Sequence, residues 1–167
     1  LTHADVEMEN VTLYAAPSND TWVRDHGPIT VLENGVPCLL DFTFNGWGNK
    51  FEAALDNQLT QHLHNLKSFN NTRVRTIDLV LEGGSVEVDG EGTLLTTRRC
   101  LMAPTRNPNL SQQQIETTLG DLLGVDRFLW LDHGYLAGDD TDSHIDTLAR
   151  FCDARTIAYV TCDDMQD

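Results

Sequence analysis

The feature that most constrains this chain is a recurring series of a β-hairpin, a helix and a strand. Asn34-Gly35 separates two β-rich runs, 28–33 and 36–44. An Asn-Gly pair in that setting is the strongest short hairpin signal, because both residues tolerate positive φ. Residues 51–67 then read as a helix, with Phe51, Ala54, Leu55, Leu59, Leu63 and Leu66 at steps of three and four. Residues 73–81 alternate as a strand. The series restarts with runs 85–88 and 93–97 around Asp89-Gly90-Glu91-Gly92. A second helix is expected over 112–123. Ser111 and Gln114 supply a capping box and Gly124 a stop. A strand over 127–131 follows. Residues 144–151 and 155–161 then read as two strands around Asp153-Ala154, a third beginning.

The turns fall near residues 34, 90 and 153, so the unit is about 55–65 residues long. Units of that length pack side by side or around an axis. A generic α+β domain could also alternate hairpins and helices. The ends fit the repeat badly. Residues 11–16 read as a closing strand with no unit before it, and the last hairpin has no helix after it. The chain also starts on Leu1 rather than Met. The expectation is a fragment holding about two and a half units.

Charge narrows the partners. The 167 residues carry 26 acidic and 11 basic side chains, a net −15. Such a field opposes phosphate backbones and anionic lipid and favours a cationic ligand. Nucleic acid and membrane surfaces are therefore not expected partners. No apolar run approaches the roughly 20 residues a membrane span requires, and the first residues lack the pattern of a signal peptide. Cys38, Cys100, Cys152 and Cys162 are dispersed, with no Cys-x-x-Cys pair. They read as buried free thiols in a reducing compartment, which makes a cytoplasmic location the expectation.

The informative polar clusters share one phase of the repeat. Residues 22–28 (Trp-Val-Arg-Asp-His-Gly-Pro) precede the first hairpin and 81–85 (Leu-Glu-Gly-Gly-Ser) the second. Residues 138–146 (Gly-Asp-Asp-Thr-Asp-Ser-His-Ile-Asp) lead into the third. If the units are related by rotation, Asp25, Glu82 and Asp146 converge, with His144 among them. Grouped carboxylates repel unless a cation or a proton intervenes. A metal reading takes Asp140, Asp142, His144 and Asp146. As a calcium loop it fails, because Ile145 stands where glycine belongs and Phe151 where a bidentate glutamate belongs. An organic cation uses the parts better. A guanidinium presents a fixed fork of donors that pairs bidentately with carboxylates. Asp25 and Asp146 would clamp it and Trp22 would cover its face. Glu82 would orient His144 as general acid and base. Three plainer readings stay open: Trp22 in the core, Arg24 paired with Asp25, and His144 packed on a strand.

Taken in order, these segments and 41–48 (Asp-Phe-Thr-Phe-Asn-Gly-Trp-Gly) resemble the agmatine deiminase family, grouped with bacterial-type peptidylarginine deiminases. The match runs from about residue 10 to 164. The resemblance implies an α+β pentein fold, a propeller of five ββαβ units with the active site on its axis. This chain would be a partial pentein domain over 1–167, holding about two and a half of the five units. It would contain the end of a preceding unit (10–21), two units (22–80 and 81–131) and an incomplete one (132–167). The implied reaction is hydrolysis of a guanidino group, with agmatine giving N-carbamoylputrescine and ammonia in putrescine biosynthesis, and no cofactor or metal. The implied catalytic residues are His144, Glu82, Asp25 and Asp146. Trp22, Asp25 and Asp146 are the implied substrate-binding residues. The family's cysteine nucleophile lies in a Gly-rich segment of its last unit. None of the four cysteines sits in such a segment, so no nucleophile is assigned and the fragment alone is expected to be inactive. A peptidylarginine substrate and a non-catalytic cation-binding module are the alternatives. An incomplete propeller would leave sheet and apolar faces open, which allows a homo-oligomer.

Overall fold

The computed structural model describes residues 7–161. The first hairpin joins β1 (Ile29–Glu33) to β2 (Val36–Thr43) through Asn34 and Gly35, at φ 52° and 79°. That double left-handed turn matches the right-handed twist of the two strands. β2 then pairs in parallel with β3 (Arg73–Val80), Cys38 opposite Arg73 and Phe42 opposite Ile77. The second sheet repeats this plan. β4 (Val86–Val88) is antiparallel to β5 (Thr93–Thr97), and β5 is parallel to β6 (Arg127–Leu131). A third hairpin pairs β7 (Ala149–Asp153) with β8 (Thr156–Tyr159). The protein is thus α+β, built on small sheets of like topology.

Among the described residues, six helical segments besides the 3-10 turns accompany the strands: α1 (Val23–His26), α2 (Gly46–Asn49), α3 (Leu59–Asn65), α4 (Arg98–Leu101), α5 (Gln112–Leu123) and α6 (Ile145–Leu148). α5 is delimited as its sequence predicts, by the Ser111–Gln114 capping box and by Gly124 at φ 70°. Its Ile115 and Leu119 are buried among Cys38, Leu40 and Phe42 of the first sheet and Leu94 of the second. Burial of each such large side chain is worth about 1.5–3 kcal/mol, so this shared core binds the two sheets together. No helix of the described residues is long and apolar enough to cross a membrane.

Three expectations require correction. The helix expected over 51–67 narrows to a 3-10 turn, Asp56–Gln58, followed by α3. Phe51 and Leu55 fit a helical stripe, but the Phe51 N–H goes to the Gly46 carbonyl and the Leu55 N–H to Asn19 Oδ1. The strand expected over 11–16 has no ladder partner among the described residues and forms no strand. Residues 144–148 are not strand: His144 is the N-cap of α6.

That last correction exposes a regularity the sequence reading missed. Each hairpin is preceded by a short helical turn: α1 before β1, a 3-10 turn (Gly83–Ser85) before β4, and α6 before β7. A further turn follows the first two hairpins. Asn45 caps α2 by accepting from the Gly48 N–H, and Thr97 caps α4 by accepting from the Cys100 N–H.

Candidate active site

The helical turns ahead of the hairpins carry the polar clusters and pack on one another. α1 holds Asp25, the 3-10 turn starts just after Glu82, and α6 starts just after His144 with Asp146 in its first turn. Two glycines permit the approach. A Cβ on Gly83 would lie 2.0 Å from the Arg24 carbonyl oxygen. A Cβ on Gly84 would lie 2.6 Å from Asp25 Oδ1, 2.6 Å from His144 Nδ1 and 2.9 Å from Asp146 Oδ2. Real side chains do not approach so closely, so these three groups meet in the space a side chain at residue 84 would fill. The Gly84 N–H donates to Asp25 Oδ1 at 2.9 Å.

A pocket of about 480 Å³ opens onto this point, with Trp22 and Phe51 in its wall. Trp22 is 61% exposed, so it lies outside the core of the described residues and its ring is available to a ligand. The 51–67 helical pattern misassigned Phe51, which is half exposed here rather than on a core stripe.

Asp25 is held from both sides. Its Oδ2 accepts from the Trp47 indole Nε1 at 2.9 Å. Trp47 is buried, at a left-handed φ of 54°, with its ring edge-on to Phe44 and Phe51. Bulky residues rarely adopt that backbone, which costs about 1–2 kcal/mol and marks a position imposed by its surroundings. Asp146 faces a different balance. Burial, reinforced by the Asp25 charge, pushes its carboxyl above the ordinary 3.8, although His144 and Arg24 pull the other way. Arg24 Nε stands 3.8 Å from Asp146 Oδ2, so Arg24 faces Asp146 rather than Asp25 as the plainer reading had it.

His144 is 2% exposed. Its Nδ1 lies 3.5 Å from Asp25 Oδ1, and its Nε2 has no partner among the described residues. Two consecutive left-handed residues, Asp142 and Ser143, both at φ 67°, lead into it. Glu82 is fully buried and does not hydrogen-bond to His144. Its Oε1 accepts from Arg106 Nε at 3.0 Å and pairs with Nη2 at 2.9 Å, while Oε2 is unpartnered. Ligand-type atoms of Glu82, His144 and the buried Cys100 nonetheless fall within 4.8 Å of one another.

Of the four residues of the metal alternative, one is taken up by cations. Beside it, Asp139 folds back to accept from the Thr141 and Ser143 N–H groups, at 2.9 and 2.7 Å. Asp142 is paired with Arg106 and with Lys50 Nζ, the latter at 2.8 Å. The cysteines split. Cys38 and Cys100 are buried; burial and the Glu82 charge push the Cys100 thiol far up, away from the thiolate. Cys152 is exposed on a strand of the last hairpin, contrary to the expectation of burial, because that hairpin lacks a covering layer among the described residues. Cys162 lies outside the described residues. None of Cys38, Cys100 and Cys152 lines the pocket.

Sequence reasoning missed Lys50 and Arg106, and gave no role to Trp47 within the 41–48 segment. Arg106 left one faint signal. It is the only basic residue between Arg99 and Arg127, in a loop bounded by Pro104 and Pro108.

The sequence profile of the Porphyromonas-type peptidyl-arginine deiminases matches residues 1–167. The agmatine deiminase of Pseudomonas aeruginosa strain UCBPP-PA14 is 41% identical over 171 residues, an alignment covering 98% of this chain and 45% of that protein. The chain thus spans about half the length of the curated relatives it matches. Among solved structures, a cysteine-to-serine variant of the C. jejuni agmatine deiminase with substrate bound superposes with a TM-score of 0.91. The identity is 45%, over 96% of this chain and 48% of that one. The agmatine deiminase of Enterococcus faecalis superposes with a TM-score of 0.84 at 37% identity, over 93% of this chain and 44% of that one. These matches cover the hairpins, the helical turns and the pocket they enclose, and the chain belongs to the Porphyromonas-type peptidyl-arginine deiminase family.

Proposed function

We propose that the protein hydrolyses a guanidino group, with agmatine as substrate and N-carbamoylputrescine and ammonia as products. The observation that carries this reading is the meeting of Asp25, Asp146 and His144 over Gly84, at the floor of a pocket walled by the exposed Trp22. Two carboxylates suit the planar, multi-donor guanidinium, and an exposed indole suits its face. The curated relatives named agmatine deiminase support agmatine as the choice among guanidino compounds.

In the reaction, a thiolate adds to the guanidinium carbon and ammonia leaves with a proton from His144. The resulting amidino-thioether is attacked by water, which gives its proton to His144, and the thiolate departs from the ureido product. Asp25 and Asp146 hold the substrate cationic and planar, and Glu82 supports the imidazolium. The buried Cys38 and Cys100 and the off-site Cys152 are unsuited as the nucleophile. We therefore place that thiol outside the described residues. The like topology of the two three-stranded sheets supports the wider architectural reading. In it, units over 22–80 and 81–131 and an incomplete unit over 132–167 are parts of a five-unit pentein propeller.

The test is a ureido-product assay on the protein expressed from its complete reading frame, with agmatine and an arginyl peptide compared. Turnover of agmatine is expected. Preference for the peptide would transfer the reading to peptidylarginine, and binding without turnover would leave a cation-binding module.

A pH effect follows from Asp146. Its carboxyl must be charged to hold the guanidinium, and burial has raised its pKa above 3.8. As pH falls through that raised value, the carboxyl takes a proton and kcat/KM is expected to drop by up to about tenfold per pH unit. Asp146→Asn should flatten that acidic limb as well as lowering the plateau. An unchanged limb in the variant would assign the titration elsewhere.

A further inference from the structure

Arg106 is assigned no role by the proposed reaction, yet it is the most fully enclosed cation near the site. Its side chain is 0% exposed and every arm is used. Nε and Nη2 hold Glu82, Nη1 reaches Asp142 and Thr105 Oγ1, and Nη2 also donates to the Thr141 carbonyl at 3.0 Å. Burial works against its charge, but Glu82 and Asp142 outweigh that and keep it protonated. Asp142 is likewise held below its ordinary value by Lys50 and Arg106 despite burial.

We propose that Arg106 is a positioning residue that fixes Glu82 and the His144-bearing loop to each other through one guanidinium fork. This inference rests on the roles proposed for Glu82 and His144.

The geometry gives the reason for a fork. Glu82 enters just ahead of the turn before the second hairpin and His144 just ahead of α6 before the third, on separate stretches of backbone. Their unpartnered atoms, Glu82 Oε2 and His144 Nε2, belong to side chains that come within 4.8 Å of each other without bonding. Occupying Glu82 Oε1 with Arg106 leaves Oε2 as the free oxygen for the imidazole. On the other side, two left-handed residues precede His144. Such backbone persists only when its surroundings over-determine it. Arg106 grips that stretch at the Asp142 carboxylate and the Thr141 carbonyl. Lys50 adds a second grip, at Asp142 and at the Asp140 carbonyl (2.5 Å). A lysine at residue 106 keeps the charge but has one nitrogen, which cannot serve Glu82 and the loop together.

The test uses the protein from its complete reading frame and two variants. Arg106→Lys is expected to lower kcat by about 100-fold, the usual consequence of misplacing reacting groups by about 1 Å, with KM within about threefold. Asp142→Ala removes the carboxylate that Arg106 and Lys50 share on the loop, leaves the Arg106–Glu82 pair intact, and is expected to lower kcat by about tenfold with the same split. Hydrogen–deuterium exchange supplies a readout independent of turnover. In both variants residues 139–146 should exchange at least about tenfold faster, with α5 unchanged. A kcat within threefold of wild type in both variants, or KM rising while kcat holds, would overturn the proposal. So would unchanged exchange over 139–146. If Arg106→Lys does not fold, Asp142→Ala decides alone by the same criteria. If the wild-type protein shows no guanidino hydrolysis, the reaction reading fails separately and exchange still decides whether Arg106 fixes the loop.

Discussion

Gly84→Ala is expected to lower kcat/KM by at least about 100-fold, while the protein stays folded. The added methyl would sit 2.6 Å from both Asp25 Oδ1 and His144 Nδ1 and 2.9 Å from Asp146 Oδ2. All three are side-chain atoms, so rotation and small shifts of the loops can relieve the clash, and the core about Leu40, Leu94 and Leu119 is untouched. The groups that give way are the proposed guanidinium clamp and the proposed acid/base. A single methyl therefore spends its strain where the reaction is sensitive to fractions of an ångström. The measurement is steady-state turnover of agmatine beside thermal unfolding of the same preparation. Loss of activity with a small change in Tm is the expected pair. Full activity in the folded variant would mean that the three side chains do not act from the positions they hold over Gly84.

The same glycine illustrates what was legible in the sequence. Residues 81–85 (Leu-Glu-Gly-Gly-Ser) precede a hairpin at the same phase as two other polar clusters, and Glu82 is one of three carboxylates at that phase of the repeat. Repetition made the phase visible, because Asn34-Gly35 and the Ser111 capping box each fix a local structure by short-range chemistry. What stayed hidden was set by contacts between distant segments. Phe51 satisfies a helical period, yet its N–H is taken by Gly46 and its ring turned toward the pocket. His144 and Asp146 alternate like strand residues, yet Thr141 Oγ1 takes the His144 N–H and the His144 carbonyl accepts from Thr147 Oγ1, which ends in a helical turn. Arg106 had no pattern around it, since its partners lie 24 and 36 positions away. Its pair with Glu82 Oε1 went unforeseen for that reason, and Glu82 Oε2 stays unpartnered where a bond to His144 was expected.

Asp25→Asn is expected to reduce kcat/KM by about two to four orders of magnitude and to destabilise the fold by about 1–3 kcal/mol. Both numbers come from the way the carboxylate is held. Its Oδ1 accepts from the Gly84 N–H and its Oδ2 from the Trp47 indole, so each oxygen already faces a donor. Asparagine has one acceptor and one donor. Whichever way the amide turns, its NH₂ points at an N–H, and a buried donor loses its partner. The charge is lost in addition, and the guanidinium would then have Asp146 alone to meet it. The two effects separate in a double-mutant cycle with Trp47→Phe, which removes the indole donor and lets the amide turn its NH₂ that way. The stability cost of Asp25→Asn should shrink in the Trp47→Phe background, while the loss in kcat/KM should persist, because no rearrangement of neutral donors restores a negative charge. Recovery of activity in the double variant would mean that Asp25 matters for the shape of the site and not for its charge. Urea unfolding and agmatine turnover of the four proteins in the cycle give both answers. The left-handed Trp47 then has a stated purpose. It delivers a fixed donor to the carboxylate oxygen farthest from Gly84, so that Asp25 presents its charge to the pocket in one orientation.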